Sequence, residues 1–265
     1  KALVNSTKDA VYLVSGVSGL EAETFFGYCD YFETSYCAGY GPWGYAQLIS
    51  TGSVANLPGY YALLISWANS IAAGNPVWMA PAGVKRSQLG TFYRKPEYEI
   101  GQVTLNTWQN QEDIGSEVDY KVNPIMKLKQ YGYCIYGNST LLKAGTGSTS
   151  MLQSFSVRIL ANQIKKHAFD ISLSLQFDQL TDDLIVQFRT LMGVYMDQLQ
   201  YSGALYDYNI VADYSALTSA QLNTKTVPVR IQISPNPAAE NFEISLEISQ
   251  AGVSFTDDTD ETEVA

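Results

Sequence analysis

The chain holds one histidine, His167, flanked by Lys165 and Lys166. A Ser-His-Asp or Cys-His machine needs an imidazole base, so His167 would have to serve whichever serine or cysteine attacked. Beside two lysines on a helix surface, a lone imidazole reads as a surface or interface residue. Gly145-Thr-Gly-Ser-Thr-Ser150 has the glycine spacing of a phosphate loop but lacks the Lys-Ser/Thr ending that meets phosphate and magnesium. It reads as a flexible linker. Asp257-Asp-Thr-Asp-Glu261 gathers carboxylates without the central glycine and distal glutamate of a calcium loop, and reads as a solvated acidic tail. Asp182 and Asp183 are adjacent, and adjacent helical residues point about 100° apart, a poor geometry for acting on one substrate. Cys29, Cys37 and Cys134 are odd in number and form no CxxC pair, which argues against a disulfide framework or zinc site and for a reduced, intracellular place of assembly. Asn5-Ser-Thr7 and Asn138-Ser-Thr140 match the glycosylation sequon, which carries little weight without a secretory signal. The residues thus nominate no catalytic group, no metal site and no cofactor site.

The elements that would position these residues fall into two parts. Residues 2–15 alternate loosely and suggest a strand. Residues 20–50, rich in Gly and Tyr, read as loop with aromatics packed on a neighbouring surface. A buried helix is expected over 59–73, ended by Gly74, followed by a short apolar strand at Val77-Trp-Met-Ala80 and a break at Pro81-Ala-Gly83. Residues 84–118 are polar and irregular, and a domain boundary is placed near 117. Beyond it, Asn123-Pro124 opens a short helix to about Gln130, Tyr131–Tyr136 is a strand, and Gly137-Asn-Ser139 turns the chain. Two helices follow. Val157, Leu160, Ile164, Ala168 and Ile171 share one face of the first, with Arg158, Lys165 and Lys166 off it. Leu184, Ile185, Phe188, Leu191, Met192, Tyr195, Met196 and Leu199 form the stripe of the second, and Thr181 is its cap. Strands are expected at 208–212, 227–233 and 242–248, the last two alternating apolar with polar residues. The fold class is therefore α+β (mixed α/β): an α/β part at 1–117, a C-terminal antiparallel sheet covered by two main helices at 118–250, and an acidic tail at 251–265.

Composition narrows the function classes. Charged residues make up 16% of the 265 positions, and 19 are tyrosines, so much neutral aromatic surface is either buried or offered to a partner. The net charge of −10 is a property of the end of the chain: no Lys or Arg follows Arg230, whereas eight acidic residues do. No basic cluster exceeds Lys165-Lys166 or Lys127-x-Lys129, which argues against a nucleic-acid groove. The most apolar stretch, Tyr60–Ala73, is too short to span a bilayer. The chain opens at Lys1 without Met, as an excised piece of a longer protein would.

Four stretches, in order, resemble the tail sheath family of contractile bacteriophages and related injection machines. Val77-Trp-Met-Ala-Pro-Ala-Gly83-Val-Lys-Arg-Ser-Gln-Leu89 is similar to its "apAG" segment. Val122-Asn-Pro-Ile-Met126 with Tyr131-Gly-Tyr-Cys-Ile-Tyr-Gly137-Asn-Ser-Thr140-Leu141 resembles "gvN…G…wG.rTl", with Tyr136 in place of Trp and Asn138-Ser139 in place of the basic residue. Residues 155–214 resemble the "vrRl" helix, the long helix and the "Gal.gy.v..d" strand, here Gly203-Ala-Leu-Tyr-Asp-Tyr-Asn-Ile-Val-Ala-Asp213. Val229–Ile248, with Pro237-Ala-Ala-Glu240, resembles the closing strands. The first hundred residues match less well, as in a divergent, large-phage (phiKZ-like) member.

The resemblance implies a structural protein and no catalysis. Subunits would stack as hexameric rings around a tail tube, meet baseplate and tail terminator proteins, and contract to drive the tube through a host envelope. Assembly would occur in the host cytoplasm and end in the virion tail. Terminal arms would add strands to a neighbour's sheet, through a heterologous contact that builds a helix. Because the family's C-terminal α+β part faces the tube, Arg158, Lys165 and Lys166 are the candidate tube-facing residues. Two other readings stay open: an extracellular ligand-binding or adhesin module, suggested by Tyr richness and low charge, and a hydrolase using carboxylates.

Overall fold

The structure, a computed structural model, describes residues 8–18, 22–47, 53–89, 122–128, 130–143, 150–215 and 217–239. Its centre is a four-stranded sheet in the order β1 (Tyr12–Val14), β2 (Cys37–Gly41), β5 (Asn123–Leu128), β6 (Gly132–Ile135). The β1–β2 and β2–β5 pairs are parallel, and β5–β6 is an antiparallel hairpin. All five residues of β2 are buried. A parallel strand covered on both faces needs no polar alternation, and Cys-Ala-Gly-Tyr-Gly shows none. Cys37 packs on one face with Val14, Phe25, Phe26, Cys29 and Leu141, under helix α1 (Ala22–Cys29). Ala38 and Tyr40 pack on the other face with Ala62, Leu63, Ile125, Ile135 and Phe155, under helix α2 (Gly59–Ala72). A hairpin of β3 (Gly44–Gln47) and β4 (Val54–Leu57) precedes α2. Gly59 permits the close approach of α2, because a Cβ there would lie 2.6 Å from the Tyr40 carbonyl oxygen.

Several sequence expectations change here. The stretch 20–50 is not loop: it contributes α1, β2 and β3. Gly39, Tyr40 and Gly41 are core material in a strand buried on both sides, while Tyr28 and Tyr31 are exposed. Val77–Ala80 is a turn and not a strand, closed by a hydrogen bond from Met79 N to Pro76 O of 3.1 Å. Trp78 leaves this turn to pack on the C-terminal core, and Trp67 Nε1 donates to the Val77 carbonyl (2.9 Å). Asn123–Leu128 is a strand and not a helix. Pro124 sits at its start, where a missing N–H is tolerated, and its carbonyl accepts from Tyr136 N at 2.8 Å. Asn123 is fully buried. Its Nδ2 donates to the Gly39 and Ser139 carbonyls (3.1 and 2.8 Å), and its Oδ1 accepts from Ser139 N (2.7 Å). One side chain therefore ties β2, β5 and the segment after β6.

The C-terminal part follows the sequence closely. Helices α4 (Phe155–Ser174) and α5 (Asp182–Tyr201) cover a two-stranded antiparallel sheet of β7 (Leu205–Val211) and β8 (Arg230–Pro235). Short helices α3 (Gly83–Arg86) and α6 (Ser219–Asn223), with single 3-10 turns at Asp30–Phe32 and Met151–Gln153, complete the described elements. Leu160, Ile164 and Ile171 of α4 meet Phe188, Met192, Met196 and Leu199 of α5, with Ile231 and Ile233 closing the cluster from the sheet. Thr181 caps α5 by accepting from Leu184 N at 3.4 Å, with Asp182 and Asp183 in the first turn where the helix dipole favours negative charge. Leu191, expected in the buried stripe, is 44% exposed.

The central sheet draws β1 and β2 from before residue 117 and β5 and β6 from after it. The boundary itself, the strand expected at 242–248, most of the 143–150 loop and the acidic tail lie outside the described residues.

Candidate assembly surface

Asn138, after β6, positions the first turn of α4. Its Oδ1 accepts from Ser156 N (3.1 Å), and its Nδ2 donates to the Ser154 and Ser156 hydroxyls (both 3.0 Å). Thr140 anchors the same junction, donating from Oγ1 to the Leu152 carbonyl at 2.9 Å. Asn138, Ser139 and Thr140 are all buried, so this sequon is core structure. Helix α4 leaves the junction with one face fixed against the core and the other outward.

That orientation separates the three cations read from the sequence. Arg158 is 6% exposed. Its Nη2 donates to Ser35 Oγ, and its guanidinium lies 4.1 Å from the centre of the Tyr36 ring. Burial pulls its pKa below the usual arginine value, while Tyr36 partly offsets the fall. It joins α4 to the segment before β2. Lys165 and Lys166 are exposed two turns further on, Lys165 Nζ donating to the Lys8 carbonyl at 3.2 Å. His167 stacks on Tyr195 of α5, ring centres 3.9 Å apart. It bridges the two helices within the chain.

Two surface features lay outside the sequence expectations. The outward row of α4 continues from Lys165 through Phe169 and Leu173 to Phe177 in the α4–α5 turn. These three apolar side chains are 60%, 51% and 95% exposed, and Phe177 has a φ of 75°. On the far side of α5, a groove of about 660 Å³ runs between Val186, Arg189, Gly193 and Asp197 of the helix and Asp207 and Tyr208 of β7. In it Tyr208 donates its phenolic proton to Asp197 Oδ1 (2.5 Å), and this bond pushes its pKa up to about 12. The signals were in the sequence: apolar residues at four-residue steps off the buried face, and a glycine inside a helix. Each is also common in ordinary helices.

Among the described residues no cluster of three His, Cys, Asp or Glu side chains could hold a metal ion, and no helix is long and apolar enough to cross a membrane. Cys29, Cys37 and Cys134 are buried and form no disulfide. Asp182 and Asp183 serve the start of α5, and the loop and tail carboxylates weighed above fall outside the described residues.

No protein-family profile matches the chain. It is 22% identical over 158 residues to the tail sheath protein of Vibrio phage KVP40, covering 60% of this chain and 22% of that one. It is 24% identical over 179 residues to the tail sheath protein of Enterobacteria phage T4, covering 67% and 25%. The matches thus span about a quarter of those relatives' length. Among solved structures, a chain of the anti-feeding prophage baseplate superposes with a TM-score of 0.70 at 15% identity, over 94% of this chain and 63% of that one. The contracted helical sheath of the same particle gives 0.68 at 16%, over 93% and 63%. The contracted PVC sheath complex of an extracellular contractile injection system gives 0.67 at 18%, over 90% and 63%. The resemblance to sheath proteins and the mixed α+β class both stand on these comparisons.

Proposed function

We propose that this chain is the core of a contractile tail sheath subunit, a structural protein that acts by packing against copies of itself and performs no catalysis. The observation that carries the reading is the match of nearly the whole chain to sheath chains of injection machines, in the same α+β arrangement. In this reading the subunits form rings around a tail tube, with baseplate and terminator proteins at the ends, and contraction drives the tube through a host envelope. They assemble in the host cytoplasm and remain in the virion.

Two features support a mechanism by assembly. Among the described residues β7 and β8 form a sheet of only two strands, a size that is marginal alone and offers edges to a further strand. Arms of neighbouring subunits would supply that strand through backbone hydrogen bonds. Second, the exposed surface of α4 and α5 carries large apolar side chains that the core does not use. Of the three cations offered as tube-facing, Lys165 and Lys166 are exposed, which suits the reading, and Arg158 is held within the fold by Ser35 and Tyr36.

Electron microscopy of the complete gene product tests this. Hollow tubes of contracted-sheath diameter are expected at high concentration. A complete protein that stays monomeric under those conditions overturns the reading, and a closed monomer with a ligand in an aromatic cleft would favour the adhesin alternative.

A further inference from the structure

We propose that the α4 ridge and the α5–β7 groove are two halves of one contact, each copy of the chain seating its ridge in the groove of a second copy. The proposal deepens the sheath reading by naming a contact between subunits.

The ridge is a single row. Lys165, Phe169 and Leu173 follow at four-residue steps, which align on one helix face, and Phe177 extends the row beyond the helix end. Phe177 combines two unusual properties: a left-handed backbone that bulky L-residues avoid and a ring 95% exposed. The exposure means that almost no contact within the chain compensates the strain. Strained positions of this kind cluster where a partner engages.

The groove has a matching anomaly. Gly193 lies inside α5, where glycine weakens a helix relative to alanine. Among the described residues, its own helix turn and chain neighbours aside, no heavy atom lies within 4 Å of the place its Cβ would occupy, so none of them requires a glycine. A side chain there would take groove space, which an incoming group would otherwise use.

Charge selects the occupant. The ridge carries Lys165 and Lys166 with Asp170 beside them, and the groove carries Asp197 and Asp207 with Arg189. The signs are complementary, both for the lysines and for Asp170. Phe169, Leu173 and Phe177 find Val186 and the Tyr208 ring as apolar counterparts. The ridge does not fill its own groove, because its side chains are exposed. Ridge and groove are different surfaces, so wherever a pair does not engage both reciprocally the contact is heterologous and every copy added leaves one ridge and one groove free, the condition for a ring or an open polymer. Lys165 and Lys166 thereby gain a neighbouring subunit as partner in place of the tube.

The test uses the complete gene product. Gly193→Leu should unfold at a temperature no lower than wild type, yet lower the sedimentable polymer about tenfold. Phe177→Ser should give the same loss with an unchanged unfolding temperature. Thr190 also lines the groove, so mixing Phe177→Cys chains with Thr190→Cys chains under mild oxidation should yield a disulfide between the two variants and none within either alone; the native cysteines are buried and do not compete. Wild-type polymerisation by both Gly193→Leu and Phe177→Ser overturns the proposal, as do Phe177→Cys homodimers, which would mean ridge against ridge. A Lys165→Glu/Lys166→Glu variant that polymerises alone but fails to dress a tube returns the lysines to the tube and overturns the polar half. Mixed disulfides from a protein that never forms tubes would sink the sheath reading and leave this contact standing.

Discussion

Replacing Asn123 by Ala would strand three buried backbone groups at once: the carbonyls of Gly39 and Ser139 and the amide of Ser139. Each stranded group costs about 1–3 kcal/mol, partly relieved by relaxation. Asn123→Ala should therefore lose about 3 kcal/mol or more in urea unfolding, where a surface Asn→Ala would lose almost nothing. The sequence showed Asn123 as a helix start before a proline and as the Asn of the "gvN" segment, but not its bonding partners, because a side chain's long-range partners leave no local periodicity. The thiols offer a second test at this scale. Burial, with Asp30 and Cys37 adding to it, pushes the Cys29 thiol up to about 12, and burial pushes Cys134 to about 11. Reactivity belongs to the thiolate, so at pH 8 neither should react with a disulfide reagent until denaturant is added. The sign follows from the raised values: the neutral thiols favour the folded state fully below the ordinary thiol value of 9.0, and that contribution is lost as pH rises through the folded values. Rapid labelling of Cys29 or Cys134 in the native chain at pH 8 would contradict this burial.

At the scale of elements, legibility followed periodicity. Helices α4 and α5, the cap at Thr181 and the alternation of β8 were readable because one face is wet and the other dry, and that contrast is written at fixed intervals. Strand β2 was not, because it is buried on both faces and built partly from glycine, which on local grounds reads as loop. Strand β5 was misread for a related reason: Asn-Pro is a good helix opening, and only the hairpin with β6 outweighs it. The candidate surface divided in the same way. Lys165 and Lys166 were nominated by charge and are exposed, Arg158 was nominated with them but is buried, and the ridge and groove went unseen because exposure is a property of packing. Packing of α5 on the rest of the C-terminal core is the element-scale prediction. Met192 is fully buried between α4, α5 and the β7–β8 sheet. Met192→Ala should cost about 2–5 kcal/mol, read in thermal unfolding.

For the whole molecule, the sheet order β1-β2-β5-β6 joins chain segments from both sides of residue 117. Val122 and Leu141 also pack in the cluster with Phe25, Phe26 and Cys37. A piece beginning at residue 118 would keep α4, α5, β7 and β8 but expose the edge of β5 that meets β2. We expect that piece, expressed alone, to lack cooperative thermal unfolding, whereas the 265-residue chain unfolds with a sharp transition. A sharp transition from the shorter piece would instead restore 117 as a true domain boundary.

The burial of Asn138 has a consequence for the route by which this chain can be made. A secretory pathway modifies Asn-x-Thr as the chain emerges, before folding can hide it. A sugar on Nδ2 would take one of the two hydrogens that it donates to Ser154 and Ser156 and would place a bulky hydrophilic group where α4 must start. The same sequence is therefore harmless in a compartment without the glycosylating enzyme and self-defeating in one that has it, so the choice of expression host decides whether this protein folds.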